Sequence, residues 1–335
     1  MEEMYVHLLE TLPTIVLILI AVICLAILSK SADSLVDEAV TLSIQWGIPK
    51  SIIGATIVSL GTTLPEASVS VLAAIQGNPD LALGNGVGSI IANSGLILGL
   101  AAIIGYLPIN HRTINRQGRI QIGSALLLVL LALPVFGRDN QGIIHQWMGF
   151  LLLILLVAYI FMMIHWAKNG NETFEKLNVT KSPAVLQIAK LLFAISMVIL
   201  SSKLLIPSIE LTAIRFGIPQ SIIAATLVAF GTSLPELTTA ISAVRKGHGE
   251  LALGNIIGAD ILNVLFVIGA AAAVTSEGLA VNVSFYQLQF PAMIIILLAF
   301  RRFAKSKDYC INRKEGIMLV SLYIVYIVLS YTWIR

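Results

Sequence analysis

Read along its length, the chain alternates between apolar runs of about twenty residues and short polar breaks. A helix needs about 20 mainly apolar residues to cross the hydrocarbon core of a bilayer, so each run predicts one spanning helix. Ten are predicted, over roughly 11–33, 47–75, 81–107, 119–137, 144–167, 185–215, 217–244, 251–274, 281–300 and 315–333, with ends placed to within about four residues. The first run, Leu12 to Leu28, has the length of a secretory signal, but Met1-Glu2-Glu3 lacks the basic flank such a signal uses. It is therefore read as a retained first helix.

Composition supports a polytopic, all-α membrane protein. Of 335 residues, 57% are hydrophobic and 12% charged, about half the charge usual for a soluble domain. Sixteen of the 21 Lys and Arg fall in the segments near 30–50, 108–119, 168–181, 245–246 and 301–314. If alternate loops share a side, the positive-inside rule places these in the cytoplasm and both termini outside, in the plasma membrane. A net charge of +3 is too small to argue for a nucleic-acid partner. Cys24 and Cys310 lie far apart, with no spacing that suggests a disulfide framework or a metal site.

The chain also repeats itself. Gly47–Glu66 reads GIPKSIIGATIVSLGTTLPE and Gly217–Glu236 reads GIPQSIIAATLVAFGTSLPE, with 14 of 20 positions identical at an offset of 170. The same offset aligns LALGNGVGSIIAN at 81–93 with LALGNIIGADILN at 251–263. The division expected is a first five-helix repeat over 1–167 (motif 47–100), a linker over 168–184 and a second repeat over 185–335 (motif 217–270). An odd number of spans per copy inverts the second copy relative to the first. Inverted repeats are a transporter architecture, with binding near the midplane where the copies meet.

Glu66 and Glu236 fall inside long apolar spans, where an ionisable group is costly and marks a site. Pro65 and Pro235 precede them, and a proline within a helix frees a carbonyl. Thr62 and Thr232 lie four residues before each glutamate, on the same face if the helix is continuous. Ser59 and Ala229 come one turn earlier, and Asn85, Ser89 and Asn93 form a stripe matched by Asn255, Ala259 and Asn263, with Asp260 beside it. Carboxylates, hydroxyls and carbonyls are hard oxygen ligands suited to Ca²⁺ or Na⁺. A lone copy could be a proline kink with one structural carboxylate, whose partner could be Lys203, but two copies in inverted halves favour a shared cation cage. Asn85 and Asn255 read more readily as packing or capping residues than as ligands, and Asp33, Asp37 and Glu38 as a solvated face beyond the first span. Protons or Na⁺ would compensate the charge of two glutamates when Ca²⁺ is absent, which is a basis for exchange.

The paired GTTLPE and GTSLPE, each followed about twenty residues on by Gly-Asn-x-x-Gly, resemble the two alpha-repeats of the cation/Ca²⁺ exchanger superfamily, in its prokaryotic sodium/calcium exchanger branch. The resemblance covers essentially the whole chain. It implies a central Ca²⁺ site at Glu66 and Glu236 with oxygens from Thr62 and Thr232, and flanking Na⁺ sites using Ser59, Thr62, Ser89, Thr232 and the Ala229 carbonyl. It also implies that Thr63 and Ser233 supply hydroxyls, that Asn93 supplies a central amide, and that the first and sixth helices slide to alternate access. Two positions depart from the family: Ala259 stands where a serine ligand is common, and Asn263 where some members carry aspartate. Asp260 is a neighbouring carboxylate that partly compensates.

The function expected is therefore Ca²⁺/Na⁺ antiport without a cofactor, with H⁺ or another cation as the alternative counter-ion. An intramembrane enzyme is disfavoured, because His7, His111, His145, His165 and His248 form no HExxH pair and none neighbours a glutamate in sequence. A passive channel usually builds its pore by symmetry among subunits, whereas this chain carries its own pair of halves.

Overall fold

The computed structural model describes residues 9–136, 141–168, 183–216, 231–305 and 310–333. The chain is mostly helical. Its helices are α1 (Thr14–Trp46), α2 (Lys50–Thr62), α3 (Leu64–Ile75), α4 (Pro79–Ile104), α5 (His111–Leu131), α6 (Gln146–Lys168), α7 (Ala184–Arg215), α8 (Leu234–Arg245), α9 (Gly249–Ala273), α10 (Phe290–Phe303) and α11 (Arg313–Trp333). Among the described residues, α1, α4, α6, α7 and α9 are each long and apolar enough to cross a membrane, and α2 with α3 makes a sixth if counted as one broken span. The beginning of the run predicted over 217–244 lies outside the described residues up to 230.

Two expectations need correction. The first helix does not end near residue 33 but runs to Trp46. At 33 residues it is about 50 Å long, well over the bilayer core. Its continuation follows from Leu35, Val36, Ala39, Val40 and Leu42, buried at helical spacing with no breaker until Gly47. Gly47 closes the helix in the left-handed region, at φ 63°, and the Ile48 amide bonds the Ser43 carbonyl. Asp33, Asp37 and Glu38 thus belong to a helix and have specific partners. Ser242 donates to Asp33 at 2.5 Å, Lys246 pairs with Asp37 at 2.7 Å, and Lys190 pairs with Glu38 at 3.6 Å.

The second correction concerns the motif. Residues 47–75 do not form one kinked helix; α2 stops at Thr62 and α3 starts at Leu64, bent by 44°. Proline is tolerated in the first turn, where its missing N–H has no helical partner. Pro65 therefore opens a new helix instead of loosening an old one.

The long helices α1 and α7 pack along each other as an outer pair with apolar outward faces that include Leu19, Val22, Leu192 and Phe193. Arg215 at the end of α7 donates to the carbonyls of Leu12 and Glu10 at the start of α1. At the centre, α4 and α9, one from each half, are the most enclosed of the five long apolar helices. Short strands tie the halves at two places, pairing β1 (Leu107–Pro108) with β4 (Cys310–Ile311) and β2 (Gly142–Ile144) with β3 (Leu279–Val281).

α2 and α9 approach backbone to backbone. A Cβ on Gly254 would lie 2.1 Å from the Ser51 carbonyl oxygen, and one on Gly258 would lie 2.5 Å from Ala55 Cα. Within α2 the turn at Gly54–Val58 is a π-helix, and the Tyr159 hydroxyl of α6 donates to the Ala55 carbonyl at 3.0 Å. Such bulges release carbonyls from the helical ladder. Gly254→Ala is expected to destabilise the chain by about 1–3 kcal/mol through overpacking against a backbone that cannot turn aside. A lower melting temperature in detergent checks this, and an unchanged one would show that the two helices can separate without penalty.

Candidate functional site

Glu66 and Glu236 are each the third residue of a half-helix, α3 and α8. The positive end of a helix dipole favours a carboxylate there. Thr63-Leu-Pro-Glu66 and Ser233-Leu-Pro-Glu236 have the form of capping boxes, yet neither hydroxyl caps its own helix. They are directed across the two halves instead. The Thr63 hydroxyl donates to Glu236 Oε1 at 3.5 Å, with Thr62 beside the same carboxylate. Ser233 faces Glu66 and lies 3.5 Å from the Ser89 hydroxyl.

The same exchange recurs one residue earlier. The Thr62 hydroxyl is 3.4 Å from Asn255 Oδ1, and the Thr232 hydroxyl is 3.3 Å from Asn85 Oδ1. These are corresponding pairs at the repeat offset, with each threonine meeting the other copy's asparagine. Asn85 also donates to the Glu66 carbonyl at 3.0 Å and to Ser70 at 2.9 Å, so it binds the half-helices together as the packing reading expected. Spacing had placed Thr62 on the face of Glu66. The break at Thr63 removes the continuous helix on which that placement depended, and the Thr62 hydroxyl serves Glu236.

The cluster is sealed and incompletely paired. Glu66 and Glu236 are each 1% exposed, and among the described residues Glu66 Oε1, Glu66 Oε2 and Glu236 Oε2 have no hydrogen-bond partner. Asn93 and Asn263, equivalent at the repeat offset, are buried with both amide atoms unpartnered. Among the described residues no cation pairs with either glutamate, and no group of three or more His, Cys, Asp or Glu could hold a metal ion. The centre is thus two carboxylates among neutral oxygens. Buried polar atoms are nearly always paired, so this concentration of free acceptors fits a cation as the missing partner.

The other predicted residues are placed around it. Ser59 is buried, bonds the Thr56 carbonyl at 3.3 Å and lies against Gly258. Ser89 is buried next to Ser233. Ala229 lies outside the described residues. Asp260 is buried and accepts from Ser94 at 2.5 Å and Gln121 at 2.7 Å. Sequence reasoning passed over Ser94, Gln121 and Tyr159. Gln117, Gln121 and Ser124 are spaced at i, i+4 and i+7, and all are buried. That stripe on one helix face is a signal that could have found Gln121.

The class defined by these features is a helical membrane transporter with a buried oxygen-ligand site between two related half-chains. The profile of the sodium/calcium exchanger protein family matches residues 16–165 and again 186–332, and the chain belongs to that family. It is 33% identical over 322 residues to the inner membrane protein YrbG of Escherichia coli K12, covering 92% of this chain and 95% of that one. It is 30% identical to the sodium/calcium exchanger MaX1 of Methanosarcina acetivorans, covering 93% of this chain and 98% of that protein. A solved structure of the sodium-calcium exchanger NCX_Mj, soaked with Na⁺ and without Ca²⁺, superposes with a TM-score of 0.80 at 27% identity, covering 94% of this chain and 99% of that one.

A basic cluster lies beyond the amino end of α9, outside the spans. Lys50 Nζ is 3.3 Å from His248 Nδ1. Burial, and then the Lys50 ammonium, hold the imidazole below its ordinary value of about 6.5. A depressed histidine stabilises the folded chain fully above about pH 6.5, and that share is lost as pH falls toward the lower folded value. Melting temperature is therefore expected to fall further in the native chain than in His248→Gln on acidification from about pH 7.5 to 5.5. Equal falls in the two proteins would contradict this.

Proposed function

We propose that the chain is a secondary antiporter that exchanges Ca²⁺ for Na⁺ by alternating access, with Glu66 and Glu236 as the shared Ca²⁺ ligands. The observation that carries the reading is the pair of buried carboxylates, one from each half, with three oxygens unpartnered and no cation beside them among the described residues. A divalent ion balances two carboxylates, and hard oxygens suit Ca²⁺. Thr62, Thr63, Thr232 and Ser233 complete the inner set. Asn93 and Asn263 supply amides near the centre, and Ser59, Thr62, Ser89 and Thr232 serve as flanking ligands for Na⁺. The Na⁺- and Sr²⁺-soaked crystals of NCX_Mj and the exchanger name of MaX1 support these substrates.

The same reading takes the chain as ten spans in two inverted sets of five, with both termini outside. The crossed threonine–asparagine pairs, the two strand pairs joining the halves and the double match of one family profile support a two-fold relation. The outer pair α1 and α7 is the moving element. The pairings of Asp37 and Asp33 with Lys246 join α1 to α8 in this conformation and would have to part when α1 slides.

Two measurements test the proposal. In proteoliposomes, an outward Na⁺ gradient is expected to drive Ca²⁺ uptake. Uptake driven only by a pH gradient would select H⁺ as counter-ion, and flux that ignores both gradients and follows voltage would indicate a channel. Glu66→Gln and Glu236→Gln should each weaken Ca²⁺ binding by about two to three orders of magnitude, since losing one partner of a buried charge pair costs about 3–5 kcal/mol. Full activity in either variant would sink the assignment.

A further inference from the structure

Beside the central cluster lies a buried carboxylate that the Ca²⁺ cage does not use. Asp260 on α9 is 1% exposed, and Ser94 of α4 and Gln121 of α5 both donate to its Oδ2, at 2.5 and 2.7 Å. Its Oδ1 has no partner. Asn93 lies within reach of the same carboxylate, is fully buried, and leaves both amide atoms unpartnered. Among the described residues no lysine, arginine or histidine pairs with Asp260. A carboxylate enclosed in this way is strongly destabilising unless a counter-charge joins it or it takes up a proton.

The repeat shows that the fold itself does not require this cluster. At the same offset Asp260 corresponds to Ile90, and Ser94 to Val264, both fully buried and apolar. At the equivalent place in the other half these two positions are hydrocarbon, and only Asn263, the match of Asn93, stays polar. A polar group needed only for architecture would be expected in both copies.

Resting on the exchanger reading above, we infer that Asp260 Oδ1, Asn93 Oδ1 and the Ser94 hydroxyl form a further site for one monovalent alkali cation, adjoining the centre and sharing Asn93 with it, with Gln121 as a positioning residue that fixes the carboxylate. One carboxylate among neutral oxygens balances a single positive charge, whereas a divalent ion would leave an excess. The site lies close enough to Glu236 for the two charges to interact, so its occupancy is coupled to that of the Ca²⁺ centre. It occurs in one half only, which makes the counter-ion set of the two copies unequal.

Saturation binding of radiolabelled Na⁺ to the purified full chain in detergent tests this, read beside Na⁺-driven Ca²⁺ uptake by the wild type. Asp260→Asn, nearly the same shape, is expected to bind one Na⁺ fewer per chain. Gln121→Leu is expected to need about 10–100-fold more Na⁺ for half-saturation, the usual effect of removing a partner that orients a ligand. Asp260→Glu should keep the full number of ions at weaker affinity, which separates loss of the site from loss of folding. Asp260→Asn binding as much Na⁺ as the wild type overturns the site, and a carboxyl that merely carries a proton would give that result. Wild-type uptake indifferent to Na⁺ overturns the exchanger reading itself. Wild-type Na⁺-driven uptake with unchanged Na⁺ binding in Asp260→Asn overturns only this site.

Discussion

The constraint on which the rest of the structure depends is the enclosure of carboxylates in an apolar interior with no cation beside them among the described residues. Taking a lone charge out of water is strongly unfavourable, and Glu66 and Glu236 are each 1% exposed. The fold meets this through helix ends. Breaking the polypeptide at Thr63 and again before Leu234 puts each glutamate in the first turn of a half-helix, at the positive end of its dipole. The hydroxyls that would ordinarily cap those turns are turned toward the opposite half. Each half therefore leaves its own helix start without a side-chain cap and turns a hydroxyl toward the other half's carboxylate. The site exists only when the two halves are docked.

That crossing links packing to function. Asn85 and Asn255 receive the threonines of the opposite copy, while Gly254 and Gly258 allow α9 to lie against the backbone of α2. Small residues in this role let helices approach closely in a membrane. The glycines thus bring Thr62 and Glu236, 174 positions apart in sequence, into one cluster. A helix pair held by flexible side chains would leave the oxygens too loosely placed to select an ion by size and charge.

Much of this was legible in the sequence, and what was not has a physical reason. The duplication, the apolar runs and the two glutamates follow from identities, composition and depth in a span, all of which are local. Thr62 was placed on the wrong carboxylate because the i, i+4 relation assumes an unbroken helix. The information to correct it was present, since Thr63-x-x-Glu66 with proline between them is the signature of a helix start. Asp33, Asp37 and Glu38 were placed beyond the first helix because their charge masked the buried stripe from Leu35 to Leu42 that continues it, although Asp37 is exposed as a solvated face would have it. Gln121 and Ser94 have no polar counterpart in the other copy and meet Asp260 only through the docking of three helices, so only the polar stripe on α5 hinted at Gln121.

The differences between the copies carry more functional information than their likeness. The shared residues, Thr62 with Thr232, Asn85 with Asn255, Glu66 with Glu236, and Asn93 with Asn263, build a centre that is close to symmetric. A symmetric centre suits an ion that must be released equally well to either side. Ser59 and Ser89 face Ala229 and Ala259 across the alignment, and Asp260 and Ser94 face Ile90 and Val264. The first pair of differences enriches the first half in hydroxyls, and the second gives α9 its lone carboxylate. Charge and oxygen number on the two flanks are therefore unequal even though the backbone is duplicated. In an exchanger, coupling requires that the two substrates bind with different affinity to different charge states of one site. Unequal flanks around a near-symmetric centre meet that requirement within a duplicated chain.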